Sequence, residues 1–450
     1  MKKIFLTIAI VAVAQLSFAQ DDLSLNDAIV KGLEQNFDIK VERRNVEIAQ
    51  MNNNWSALFP SLSASLQGST NTFDNREALN PFSLLGEVQT DQIQPTVNVD
   101  WNLLSIANIT IGKRQLEQMQ AESQGNADIV VANAIQAIIL GYYNSVLQLK
   151  RLQEFEEQLA LSRDRYALLQ ARSDLGTAVT SDLLLEEGNY LTDSVSYVNQ
   201  LLVYQNAVSS LNFLLDESNP AKQYNFTDDL SFEYRDLTYE ELEQQVQESN
   251  VDLKRQYLTQ QVLASTTQLR KLDRYPTLSL GGNYSFTRNK QTIDGRILDG
   301  ETGQFNPFLV SGNNENTNYG LNFTISWNLF QGGRVNRAIK EAIIREDIAN
   351  IQTDRLKASL RRDLAQALDQ YRVRKQLFDI NDRRYQSSQR NLEISEERFQ
   401  NGSIDSFDYR TVQNNNLAAA TVRLQSIYDL LDSQVTLMRL TGGLTQQYAQ

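Results

Sequence analysis

The side chains with catalytic potential in this chain are almost all carboxylates and hydroxyls, because its 450 residues contain no histidine and no cysteine. That absence removes Ser-His and Cys-His nucleophile pairs, imidazole and thiolate metal sites, and any disulfide. Paired acids that could serve a hydrolase are present, Glu186 beside Glu187 for example, but they sit in helical runs of ordinary solvated charge. The acidic stretch 294–299 lacks the ligand spacing of an EF-hand calcium loop. A net charge of −13 and a pI near 4.8 argue against nucleic acid as a partner, since phosphate binding needs a basic face. No catalytic, cofactor-binding or metal residue is therefore expected. Two glycine-marked breaks stand out instead, Gly176-Thr177-Ala178 and Gly402-Ser403, each with an acid six residues after the glycine, Asp182 and Asp408.

Those breaks belong to a repeat half the chain long. Phe59-Pro60-Ser61-Leu62-Ser63 recurs as Tyr275-Pro276-Thr277-Leu278-Ser279, an offset of 216. Val99-Asp100-Trp101-Asn102-Leu103-Leu104 recurs as Ile325-Ser326-Trp327-Asn328-Leu329-Phe330, an offset of 226 that holds through Leu211 and Leu437. Leu23 to Asn36 matches Leu237 to Asn250 at offset 214. The expected organisation is a first repeat over 20–216, a linker over 217–236, a second repeat over 237–445 and a short tail, 446–450. Each repeat reads as a helical segment (25–57; 239–272) stopped by a proline, a strand pair, and two long helices.

The strands alternate. Tyr319, Leu321, Phe323, Ile325, Trp327 and Leu329 are large and apolar, and the residues between them are small or polar. Val97, Val99, Trp101 and Leu103 follow the same rule, as do Leu278, Leu280, Tyr284 and Phe286. Period two means one apolar and one polar face, which suits either a half-buried soluble sheet or a lipid-facing barrel. The polar faces carry Asn, Ser, Gly and Thr with few charges, and Trp101 and Trp327 lie near strand ends, as in a barrel's aromatic girdle. Long polar loops are expected over 71–91 and 289–317.

No proline interrupts residues 105–173 or 334–400, and each run would be ~100 Å long as one helix. Leu364, Tyr371, Phe378, Tyr385, Leu392 and Phe399 lie seven apart, with Leu152, Leu159 and Tyr166 equivalent in the first half. This predicts coiled-coil packing. At the chain start, Lys2 and Lys3 precede an apolar run over 4–14 and the small residues of Ser17-Phe18-Ala19. Residues 1–19 are expected to be a cleavable signal peptide. With a mean hydropathy of −0.42, no later stretch is expected to form a membrane helix, so a membrane form must be a β-barrel. Without cysteine no lipidated N-terminus is expected.

Four strands cannot close a barrel, and an open edge in lipid leaves backbone groups unpaired. Copies must pool their strands, and three copies would supply twelve. With its two-half repeat, paired strands, long helices and glycine-marked hairpins, the chain resembles TolC-type outer-membrane efflux channels over essentially all of its mature length. The resemblance implies an α+β membrane protein: a homotrimer whose 12-stranded β-barrel in outer-membrane lipid continues into a periplasmic α-helical barrel. It implies a Gram-negative outer-membrane location and an exit duct of a tripartite efflux or type I secretion system. Its partners would be a periplasmic adaptor and an inner-membrane pump of RND, ABC or MFS type. By the same resemblance, Gly176, Thr177, Ala178, Gly402 and Ser403 form the adaptor-docking tips. Asp408, with Asp405 and Asp182, is the candidate for an acidic ring at the entrance. The family's second ring acid is Thr411 here. The hydroxyl three residues after each glycine is replaced by Val179 and Asp405. A periplasmic adaptor or structural coiled-coil protein without a membrane barrel is the alternative, and the cargo is not legible.

Overall fold

The computed structural model describes residues 21–75, 85–103, 106–177, 179–231, 234–299 and 301–448. The signal-peptide residues and Ala178 lie outside them. The chain divides into two compact units, one of Ala49–Gln120 and Thr259–Ala349, the other of Met1–Ile48, Ala121–Leu258 and Asn350–Gln450.

The first unit holds a four-stranded antiparallel sheet in the order β2 (Ser61–Asn75), β3 (Leu85–Asn102), β5 (Thr277–Leu298), β6 (Phe305–Ser326). The register puts Leu62 opposite Val99, Val99 opposite Gly282, and Gly282 opposite Leu321. Leu66, Val97, Tyr284 and Tyr319 share that face, because directly opposed residues point the same way. From Leu278 to Phe286 the apolar band is about 27 Å tall at ~3.4 Å per residue. No described residue covers it there: Leu321 is 85% and Phe323 77% exposed.

Two expectations need correction here. The stretches 71–91 and 289–317 are not long loops, because β2 and β3 run well into the first and β5 and β6 nearly close the second. β5 and β6 have 22 residues each, about twice what a tilted membrane strand requires. Antiparallel pairing satisfies the backbone whatever the side chains are, so Asn- and Gly-rich segments extend the ladder without any hydrophobic signal. The second correction concerns the alternation read through Leu329: β6 stops at Ser326, which still leaves Trp327 beside the strand end. Its indole Nε1 donates to the Arg274 carbonyl at 3.0 Å, as Trp101 Nε1 donates to that of Leu58 at 3.0 Å. Each tryptophan ties the end of one strand to the chain entering the other.

The second unit is helical. Its elements include β1 (Asp21–Leu23), α1 (Leu25–Gln35), β4 (Tyr224–Phe226), α5 (Tyr239–Ser249) and α9 (Gly443–Tyr448). It also holds most of α2 (Phe37–Asn52), α3 (Ile106–Asp174) and α7 (Arg334–Gln400), the first two turns of α6 (Val251–Leu272), and all of α4 (Thr180–Leu214) and α8 (Ser406–Thr441). The segment 217–236 is more than a linker, since β4 pairs in parallel with β1. The leading helical segments are each broken in two, at Asn36 and Asn250. Asn36 Oδ1 accepts from the amides of Asp38 and Ile39, and its Nδ2 donates to the Leu214 carbonyl. Asn250 repeats the arrangement with the Leu253 amide and the Leu440 carbonyl. A side chain that caps one helix and holds another fixes the break.

The heptad positions behave as expected. Leu364 and Tyr371 are buried and Phe378, Tyr385, Leu392 and Phe399 half-buried. One core gathers Ile135, Ile138, Tyr142, Leu211 and Ile427, and the other Leu242, Leu253, Leu364, Leu430 and Leu437. Contrary to the hydropathy reading, α3 contains an 18-residue window of mean hydropathy 1.4, apolar enough by length and composition to cross a membrane, and 44% of it is buried. Its apolar residues are needed for the first core, where Ile135, Ile138, Ile139, Tyr142 and Val146 of the same helix sit.

Candidate functional site

Each glycine-marked break is the turn of a helical hairpin. Gly176 has φ +70° and Gly402 φ +68°. A Cβ at either would meet nothing within 4 Å, so the left-handed backbone and not crowding calls for glycine. Gly176 and Thr177 donate to the Ser173 and Arg172 carbonyls at 2.9 and 2.8 Å. Gly402 and Ser403 donate in the same way to Phe399 and Arg398 at 3.0 and 2.7 Å. Both are Schellman closures of the preceding helix. Leu175, Val179 and Phe407 are exposed around the turns.

The acidic candidates divide by role. Asp405 is the N-cap of α8, its Oδ1 accepting the Asp408 amide at 2.8 Å. Asp408 is exposed in the first turn, where the helix dipole favours it. Asp182 occupies the equivalent turn of α4 and accepts from Ser181 Oγ at 3.2 Å. Among the described residues no hydrogen bond or ion pair joins the acids of one tip to those of the other, and no group of His, Cys, Asp or Glu could hold a metal.

Behind the tips lies a buried ionic cluster that the sequence analysis missed. Arg410 of α8 grips Asp193 of α4 with two bonds of 2.6 Å, their side chains 12% and 7% exposed. Asp193 also accepts from Ser162 Oγ of α3. One layer away, Glu186 is 1% exposed, which corrects its reading as solvated charge. It accepts from Ser406 Oγ of α8 and faces Arg165 of α3, with Oε2 3.6 Å from Nη2. Arg165 lies over the Tyr409 ring, and none of its nitrogens has a hydrogen-bond partner among the described residues. Burial pulls its guanidinium below the usual arginine range, an effect Glu186 opposes. These charges are held largely out of solvent. They fasten the first hairpin to the second.

Comparison with known proteins agrees with this architecture. Residues 242–443 match the family model described as outer membrane efflux protein. Among solved structures, the fold is similar to the Campylobacter jejuni CmeC outer membrane channel, with a TM-score of 0.72 and 18% identity over 93% of this chain and 85% of that one. The open state of the Neisseria gonorrhoeae MtrE outer membrane channel gives 0.69 and 15% over 93% and 88%. The outer membrane protein VceC from Vibrio cholerae gives 0.66 and 14% over 93% and 96%. No curated protein matches the chain by sequence. The second half of this chain is therefore similar to outer membrane efflux proteins, and the chain shares the fold of these outer membrane channels.

Proposed function

We propose that this protein is the outer-membrane exit duct of a tripartite efflux or type I secretion system, passively conducting what an inner-membrane pump and a periplasmic adaptor deliver. The observation that carries the reading is the sheet. Its apolar face is exposed, its opposite face is polar, and β2 and β6 leave both edges unpaired. A soluble adaptor would cover an apolar face of this size. In lipid the face needs no cover, but the edges do. Three copies joined edge to edge close a twelve-stranded barrel, and their long helices pool into a periplasmic tunnel. The test is purification from the outer membrane: heat-modifiable trimers that conduct ions across a planar bilayer are expected, and a monomer without conductance would overturn the reading.

The hairpin tips are the adaptor-docking surface. Ser403 donates its amide to Arg398 and leaves its side chain in solvent, so Ser403→Trp fits without disturbing the turn. It should reduce adaptor cross-linking by about tenfold, as expected when a bulky group enters an interface centre, at unchanged trimer heat stability. Cross-linking at the wild-type level would move the docking surface elsewhere.

Asp408 forms an acidic ring at the closed entrance. With Asp405 occupied as a cap, Asp408 is the acid whose side chain is left to act. Like charges in a narrow ring attract multivalent cations. Asp408→Asn should weaken block by a trivalent cation several-fold in single-channel recordings. A trace indistinguishable from wild type would leave Asp408 a first-turn acid and nothing more.

A further inference from the structure

The charges of the sheet are distributed unevenly. In register with the apolar band but beyond its outer end stand Asp74, Glu87, Asp91, Arg288, Lys290 and Glu315, all on the apolar side. Along the apolar band the polar side is built from Ser, Thr, Asn, Gln and Gly, including Ser63, Asn98, Asn283 and Asn322, whereas farther out it carries apolar residues such as Phe73, Val88 and Ile293. Among its described strand residues one is charged, Asp100, two positions before the end of β3. Asp100 is exposed, and its neighbours across the ladder are Ser61 and Gly281, too small to cover it. No cation among the described residues pairs with it. The nearby Lys113, which lines the same cavity, is held by Asn53 and by Glu117 at 3.2 Å.

We propose that Asp100 sets the charge preference of the barrel section, an inference that rests on the duct reading above. Closing the barrel with three copies repeats Asp100 at one level of a section whose other described lumen-side residues are uncharged hydrogen-bonding groups. A charge lining a narrow water-filled path between low-dielectric walls raises the local concentration of its counter-ions. Small cations and cationic solutes are enriched at that level and anions depleted. The other described lumen-side residues along the band offer hydrogen bonds and no charge.

Because the chain has no cysteine, the local potential can be read with a single introduced thiol. Asn98 lies on the same face two residues from Asp100, about 7 Å along the strand. In Asn98→Cys trimers, the reaction rates of a cationic and an anionic methanethiosulfonate are compared with Asp100 present and in the Asp100→Asn background. With Asp100 the cationic reagent should be preferred by about tenfold, and Asp100→Asn should reduce that preference at least about threefold. An unchanged ratio overturns the role of Asp100 while leaving the duct intact. A thiol that reacts with neither reagent means that this face lines no water-filled path, and both the duct reading and the inference fall.

Discussion

Alanine in place of Arg410 should destabilise the helical unit by about 3–5 kcal/mol, the cost of leaving a buried carboxylate without its cation. Asp193 would keep Ser162 and Gln158 as hydrogen-bond partners but lose its ion pair. The measurement is the denaturant midpoint of the helical signal at constant m-value. The repeat supplies the control, since the positions equivalent to Arg410 and Asp193 are Leu184 and Ala419. The double change Arg410→Leu with Asp193→Ala should regain most of the loss, because well-packed apolar residues often replace a buried ion pair at no cost. An Arg410→Ala midpoint within ~0.5 kcal/mol of wild type, the range of ordinary surface changes, would mean that the pair is solvated.

Arginine at Phe323 should impair assembly more than arginine at its neighbour Asn322. The two residues are adjacent on β6 and point to opposite faces. At the bilayer midplane an outward arginine costs about 2–4 kcal/mol, whereas a lumen arginine stays in water. Asn322 stands opposite Gly281, which leaves room for the longer side chain. The readout is the yield of heat-modifiable trimer, and equal yields from Phe323→Arg and Asn322→Arg would remove the lipid-facing assignment.

How much of this was legible in the sequence depended on whether a residue repeated a pattern or departed from it. The alternation in β6, the sevens of α7 and the two glycine turns are periodic, and each appears where the pattern placed it. The helix breaks at Asn36 and Asn250 were not read as breaks, because asparagine lacks the signature of proline and the apolar spacing continues across it. The outer halves of β5 and β6 were hidden because they are rich in polar residues and several of their apolar ones, Ile293, Phe308 and Val310 among them, fall out of phase with the band. The ionic cluster was visible only as a mismatch between the halves. Asp193, Glu186 and Arg410 each stand where the other half has Ala419, Val412 and Leu184. One charge replacing an apolar residue reads as surface drift. Three of them on facing helices make a buried network, and which helices face each other is a property of the fold.

The pairing of β3 with β5 has a consequence for how the chain is made. Asn102 lies opposite Ser279, so the hairpin of β2 and β3 leaves the secretion machinery well before its neighbour exists. All of α3, α4, α5 and α6 must follow before β5 can dock. Contacts this distant in sequence form late, after the cost of closing a long loop. In the interval an apolar two-stranded ribbon with open edges stands in an aqueous compartment, the kind of surface that other chains extend into aggregates. Until β5 is made, the strands of 61–75 and 85–102 are the part of the chain most in need of cover, and a chain cut after the first repeat would keep them open.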